Sequence, residues 1–281
     1  MNGRASRSGA HGAGERAERF LRDAGPVPWD PRALRGAALD PVTARMLEVA
    51  AGLEADTGIT RDQASALGID RAPDLAAFFP VWAMEEAEHA RALRALVDGR
   101  AFPEVPPRPP EIARRRRALT RLPVSVLRRL PEPAVVACTF GATAEYVTII
   151  VYRTIAEDLE DAAVRGLLRD IVRQEARHLA FLLAAARARA AELGPVHARV
   201  TRRVIRAMWE PPGVPSLGVE GWRDVFAPLL GRAELRARVA SMDRMVDSIP
   251  HLEGLALMAR YLSGPGGVTG IATLAPDGRG D

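Results

Sequence analysis

FGATAEYVTIIVYRTIAEDLEDAAVRGLLRDIVRQEARHLAFLLAAA, residues 140–186, decides the fold. Two apolar stretches of helical length flank a short acidic turn, which makes this segment a helical hairpin. In its second half Val164, Leu168, Ile171, Glu175, His178 and Leu182 recur on one face. Glu175 and His178 form an E-x-x-H element, and on a helix positions i and i+3 project together, so one carboxylate and one imidazole can reach a single metal ion. The same element occurs earlier as Glu86-Ala-Glu-His89. Desolvating an unpaired carboxylate costs several kcal/mol, yet these groups lie in line with Leu, Ile, Val and Trp. Two cations at the centre of a four-helix bundle offset that cost.

Depth along the helices selects the remaining ligands. Glu145 lies about twelve residues before the acidic turn and Glu175 about fourteen after it, so the two meet at one level of an antiparallel pair. An earlier pair of long helices is expected over residues 40–57, with Pro41 in its first turn, and 73–98, with Pro80 as a kink. Between them Thr60-Arg-Asp-Gln63 reads as a capping box opening a short helical turn. Glu86 lies about thirteen residues into the second of these helices. The same count places its partner near residues 45–48, which selects Glu48 over the competing Glu54. The expected metal set is Glu48, Glu86, His89, Glu145, Glu175 and His178, and it favours two iron or manganese ions over zinc.

Outward from the bundle, residues 1–30 are expected to be disordered or a short arm, with a helix only near 15–23. Residues 31–263 form the expected helical domain, and the Gly-rich residues 264–281 a disordered tail. A Pro-rich crossover, 99–110, leads to a segment carrying Arg114-Arg-Arg-Arg117. Further amphipathic helical segments follow Gly194-Pro195, and no alternating strand pattern occurs. The class is all-α. Of the other chemically capable residues, Thr148 follows Glu145 by one turn and points toward the cluster. Tyr146, Tyr152 and Cys138 read as packing, and His11, His197 and His251 as inert.

All 39 basic residues are Arg, since the chain has no Lys, and the net charge is only +4. That is too little to argue for nucleic acid. A single cysteine excludes an intrachain disulfide and fits a reducing cytoplasm. The N-terminus lacks the apolar core of a secretory signal. No uninterrupted apolar run reaches about 18 residues, so no membrane span is expected.

The motif residues resemble a known family. Trp82-Ala-Met-Glu85-Glu86-Ala-Glu-His89 is similar to the W-x-x-E-E-x-x-H segment of the soluble acyl-carrier-protein desaturases, within the ferritin-like di-iron carboxylate proteins. Glu145-Tyr-Val-Thr148 resembles their E-x-x-T segment, and Gln174-Glu175-Ala-Arg-His178 their D-E-x-R-H segment with Gln in place of Asp. The loop beginning Trp209-Glu-Pro-Pro-Gly also resembles theirs, whereas no first-helix motif is recognisable. The resemblance implies a ferritin-like four-helix bundle with extra C-terminal helices, two Fe2+ ions, and O2-dependent oxidation of an unactivated C–H bond in fatty acid metabolism. It makes Glu86 and Glu175 bridging, Glu48 and Glu145 terminal, and Thr148 a helper in oxygen or proton handling. It also implies a homodimer, a ferredoxin-like electron donor, and an acyl carrier protein docked on the Arg-rich residues 112–129. The alternatives are a di-iron N-oxygenase or hydroxylase of a specialised pathway, a non-enzymatic ferritin-like iron-binding protein, and a metal-free scaffold. A desaturase predicts an elongated apolar channel beside the cluster, and an oxygenase a compact pocket with polar groups.

Overall fold

The computed structural model describes residues 3–34, 37–97, 125, 127–230 and 233–263. Helix makes up 80% of it and no strand occurs among the described residues, so the class is all-α. The helices are α1 (Gly3–Arg22), α2 (Pro31–Leu34), α3 (Pro41–Ala55), α4 (Thr57–Leu67), α5 (Pro73–Val97), α6 (Pro133–Asp158) and α7 (Ala162–Ala190). Five more follow: α8 (Pro195–Met208), α9 (Val214–Leu230), α10 (Ala233–Ala240), α11 (Met242–Asp247) and α12 (Leu257–Ser263).

Local chemistry fixes where the bundle helices begin. The Asp40 carboxylate accepts from the amides of Val42 and Thr43 at 2.9 and 3.0 Å, with Pro41 in the first turn of α3. Asp161 caps α7 in the same way, accepting from Ala163 and Val164. Three residues separate α6 from α7, which forces an antiparallel pair, the most extensive helix contact in the molecule. At Gly141 a β-carbon would come within 2.9 Å of Leu182 Cδ1, so the missing side chain lets the two helices close up one turn before Glu145.

The bundle is the pair α3–α5 laid against the pair α6–α7, with Leu47, Leu75, Leu93, Leu168 and Ile171 fully buried between them. The C-terminal helices cover α6: Trp209 donates to Thr143 Oγ1 at 3.0 Å, and the Tyr146 hydroxyl lies 2.6 Å from Ser241 Oγ. Burial on more than one side explains why α6, at mean hydropathy 1.7, is long and apolar enough to cross a membrane by length and composition, although Glu145 interrupts its apolar run. Two-thirds of that apolar stretch is buried in the protein. Cys138 is buried on the same helix, and burial pushes its thiol up to about 12.

Two expectations need correction. The N-terminal segment is helical from Gly3, and it belongs to the bundle: α1 packs on α5 and α7, with Phe20 and Val27 in the core. Gly- and Ser-rich sequence hides this helix, because its order comes from tertiary contacts instead of propensity. The short helical turn expected between α3 and α5 is longer and starts earlier: it is α4, eleven residues from Thr57, followed by a 3₁₀ turn over Ile69–Arg71. The expected crossover 99–110, the Arg114–Arg117 cluster and the tail 264–281 lie outside the described residues.

Candidate metal centre

Six side chains from four helices converge at the middle of the bundle. Glu54 comes from the last turn of α3, Glu86 and His89 from α5, Glu145 from α6, and Glu175 and His178 from α7. They form two overlapping sets: Glu54, Glu86, His89 and Glu175, and Glu86, Glu145, Glu175 and His178. Within each set the ligand atoms lie within 4.8 Å of one another, and all are buried. Glu86 and Glu175 belong to both sets.

Five of the six residues expected from sequence are brought together here, and Glu48 is not. Glu48 is half-buried and pairs with Arg45 at 3.0 Å on the same helix. Its place is taken by Glu54. The depth count fails because α5 starts beyond the end of α3, alongside α4, so thirteen residues into α5 is level with the last turn of α3. Thr148 is half-buried one turn beyond Glu145. His197 and His251 are exposed, away from the cluster.

The polar atoms here are paired only in part. Both oxygens of Glu86, Glu175 Oε1 and His89 Nδ1 are buried without a hydrogen-bond partner. His89 Nδ1 lies 3.1 Å from Glu175 Oε1 and 3.4 Å from Glu86 Oε2, but these contacts lack hydrogen-bond geometry. Four buried ligand atoms without hydrogen-bond partners, spread over the two ligand sets, are what bound cations would satisfy, and an unmet desolvation cost of this size is rare in a native core. A donor set of four carboxylates and two imidazoles suits iron or manganese.

Around these six, further groups fix their orientation. Trp82 Nε1 donates to Glu145 Oε1 at 2.9 Å, and the Tyr152 hydroxyl donates to Glu54 Oε1 at 2.5 Å. His178 Nε2 lies 2.8 Å from Glu85 Oε2, and His89 Nε2 lies 2.8 Å from Gln174 Oε1. Both partners are acceptors, so each ring keeps a proton on Nε2 and turns Nδ1 toward the carboxylates. Glu85 also accepts from Arg177 and from the amide of Gly25. Phe20 and Phe78 wall His178, with ring centroids at 6.1 and 6.3 Å.

Burial and mutual repulsion dominate the charge state. Glu54 is pushed well above the usual carboxylate range by burial and by the charge of Glu86, and Glu145 by burial and by Glu175. Burial opposes ionisation of Glu86 and Glu175 as well, but the neighbouring carboxyl groups and the close imidazoles of His89 and His178 hold both low. Both imidazoles are raised: burial works against this, and contact with Glu175 and the other carboxylates overcomes it. These directions favour two ionised carboxylates, two protonated ones and two imidazolium ions, a set with no net charge. Two divalent ions in exchange for those four protons leave it neutral again.

Sequence reasoning flagged Gln174 and placed Arg177 in the D-E-x-R-H segment without a partner, and it did not anticipate Gly25 or Phe20, which lie far from the motifs. A surface cleft of about 440 Å³ opens beside Gln174, between Arg19, Asp23 and Val27 of the N-terminal segment and Asp170, Arg173 and Arg177 of α7. Five of its eight lining residues are charged, unlike the apolar channel that a desaturase leads one to expect.

Residues 54–186 match a family model described as Rubrerythrin, a ferritin-like di-iron carboxylate family. The match spans all six convergent residues. No curated protein and no solved structure matches the chain. The match and the buried cluster together support a di-iron protein on a ferritin-like helical bundle.

Proposed function

We propose that this protein is an O2-dependent di-iron oxidoreductase of the desaturase or oxygenase type. One observation carries the reading: two four-residue ligand sets share Glu86 and Glu175 and hold orphaned buried lone pairs. Glu86 and Glu175, common to both sets, would hold both ions, with Glu54 and His89 completing one position and Glu145 and His178 the other. When bound, two ferrous ions supply the electrons that activate dioxygen for attack on an unactivated C–H bond.

The chain's own contribution is orientation and exclusion of water. Trp82 and Tyr152 each hold one terminal carboxylate by a single hydrogen bond. Ala142, Leu168, Ile171 and Phe181 are buried in the surrounding core and keep the site dry. Thr148 is the hydroxyl that handles a proton near Glu145. In the desaturase form of this reading the substrate is an acyl chain on an acyl carrier protein, electrons come from a ferredoxin-like donor, and the protein is a cytoplasmic homodimer. The W-x-x-E-E-x-x-H and E-x-x-T segments support that form.

Iron analysis and oxygen uptake test the proposal. Protein from iron-replete cells should hold about two irons per chain, and the reduced protein should consume O2. His178→Ala should abolish oxygen consumption while leaving helicity intact. Less than about half an iron per chain, or full oxygen uptake by the His178→Ala variant, removes the reading.

A further inference from the structure

The residue preceding each shared glutamate holds the histidine of the opposite helix. Glu85, before Glu86 on α5, takes the Nε2 proton of His178 at 2.8 Å. Gln174, before Glu175 on α7, takes that of His89 at the same distance. The arrangement is symmetrical in position and unequal in charge, with a carboxylate on one side and an amide on the other. The peptide of Gly25 ties the two together: its amide donates to Glu85 Oε1 at 2.9 Å, and its carbonyl accepts from Gln174 Nε2 at 2.6 Å. That second bond fixes the Gln174 amide, because its NH2 group is committed to Gly25 and only its oxygen is left to face His89.

We propose that this inequality ranks the two metal positions: the one at Glu145 and His178 fills first, and the one at Glu54 and His89 second. The ranking rests on the two-metal reading above and names Glu85 and Gln174 as positioning residues. An imidazole whose remote N–H is bound by a carboxylate places more electron density on its metal-facing nitrogen than one bound by a neutral amide. The other ligands and the outer contacts of the terminal carboxylates are matched in number. Glu86 and Glu175 are common to both. The terminal carboxylates each receive one neutral donor, Trp82 on Glu145 and Tyr152 on Glu54. Arg177 offsets part of the Glu85 charge, but it binds Oε1, whereas His178 binds Oε2. Outer partners of metal-bound histidines change affinity by about 10–100-fold, so a preference of about tenfold is expected.

The test is to load the anaerobic apo protein with one equivalent of Co(II) and read the occupancy of each position by anomalous scattering. The position at His178 should hold about ten times the cobalt of its neighbour. The double swap Glu85→Gln/Gln174→Glu should reverse the preference, which a merely structural role for these residues would not do. If the double variant does not fold, Glu85→Gln alone should level the two occupancies and weaken the first binding step about tenfold. Equal filling in the wild type, or an unchanged preference in whichever of these variants folds, overturns the ranking and leaves the two-metal reading standing. No cobalt at either position at two equivalents removes both.

Discussion

Two clusters of buried charge lie in this bundle, and they are built on opposite terms. Asp74, at the start of α5, is 1% exposed and held on both sides: Arg189 Nη2 lies 2.6 Å from one oxygen and Arg16 Nη2 2.9 Å from the other. A further bond runs from Arg189 Nη1 to Oδ2. These guanidinium groups pull the Asp74 carboxyl below its ordinary value although burial opposes them. The cluster joins α1, α5 and α7 and needs nothing from outside. At the metal centre, by contrast, charge is balanced only by retained protons, and four ligand atoms are orphaned. A satisfied cluster is a fastener. An unsatisfied one, in a bundle otherwise so well packed, is a vessel for cations.

Two isosteric amide substitutions separate these roles. Burial and the charge of Glu175 push Glu145 toward its protonated form, which Glu145→Gln copies while keeping an oxygen for Trp82. The apo melting temperature should therefore barely move, while metal affinity at the His178 position falls by more than about 100-fold, beyond the range seen for outer partners. Calorimetric titration with Mn(II), alongside thermal melts, checks both. Asp74→Asn should do the reverse. It leaves two guanidinium groups short of their counter-charge and should cost about 3 kcal/mol, the low end for a broken buried pair because both arginines keep some contact with water. Metal stoichiometry should stay at about two. A Glu145→Gln variant that binds metal normally would merge the two clusters into one structural class.

How far sequence alone foretells this depends on what separates the residues. In the second hairpin only residues 159–161 lie between α6 and α7, so a count from the turn brings Glu145 and Glu175 level. In the first, α4 intervenes, and the same count selects Glu48 where Glu54 is the convergent residue. Both E-x-x-H elements are legible because their spacing is the helix period itself. Glu85 stands in plain sight beside Glu86, yet its partner His178 is 93 residues away, and no local pattern encodes that contact. Gly25 acts through its peptide, which has no side-chain signature, and α1 is ordered by Arg16, Phe20 and the Arg177 contact to the Phe20 carbonyl.

The clusters should also respond oppositely to pH. Asp74 has a lowered pKa, so its contribution is present above its ordinary value of 3.8 and is lost as pH falls through the folded value. His89 and His178 have raised values, so their contribution is complete below 6.5 and is lost as pH rises through the folded values. Glu54 and Glu145 are raised too and act in the same direction. The melting temperature of the apo protein should therefore fall as pH rises above about 6.5, while the metal-loaded protein, having released those protons, should hold its value. Melts of both forms across pH 6–9 test this, and proton release during metal titration should approach about four per chain. Parallel melting curves would mean that the cluster holds no extra protons.

The smallest effect sharpens the boundary between fastener and vessel. Tyr152 is 1% exposed, and its hydroxyl reaches across the bundle from α6 to Glu54 on α3. In the apo protein this bond resembles any buried hydrogen bond. Tyr152→Phe should cost about 1 kcal/mol, because Glu54 is protonated there and the loss leaves no bare charge. Once metal binds, Glu54 must ionise, and the same hydroxyl becomes a donor to a carboxylate, a bond about twice as strong. The variant should thus lose more stability loaded than apo, and the excess should appear as weaker binding at the His89 position alone. Equal losses in the two forms would show that Tyr152 supports only the fold and that Glu54 is oriented by its own helix.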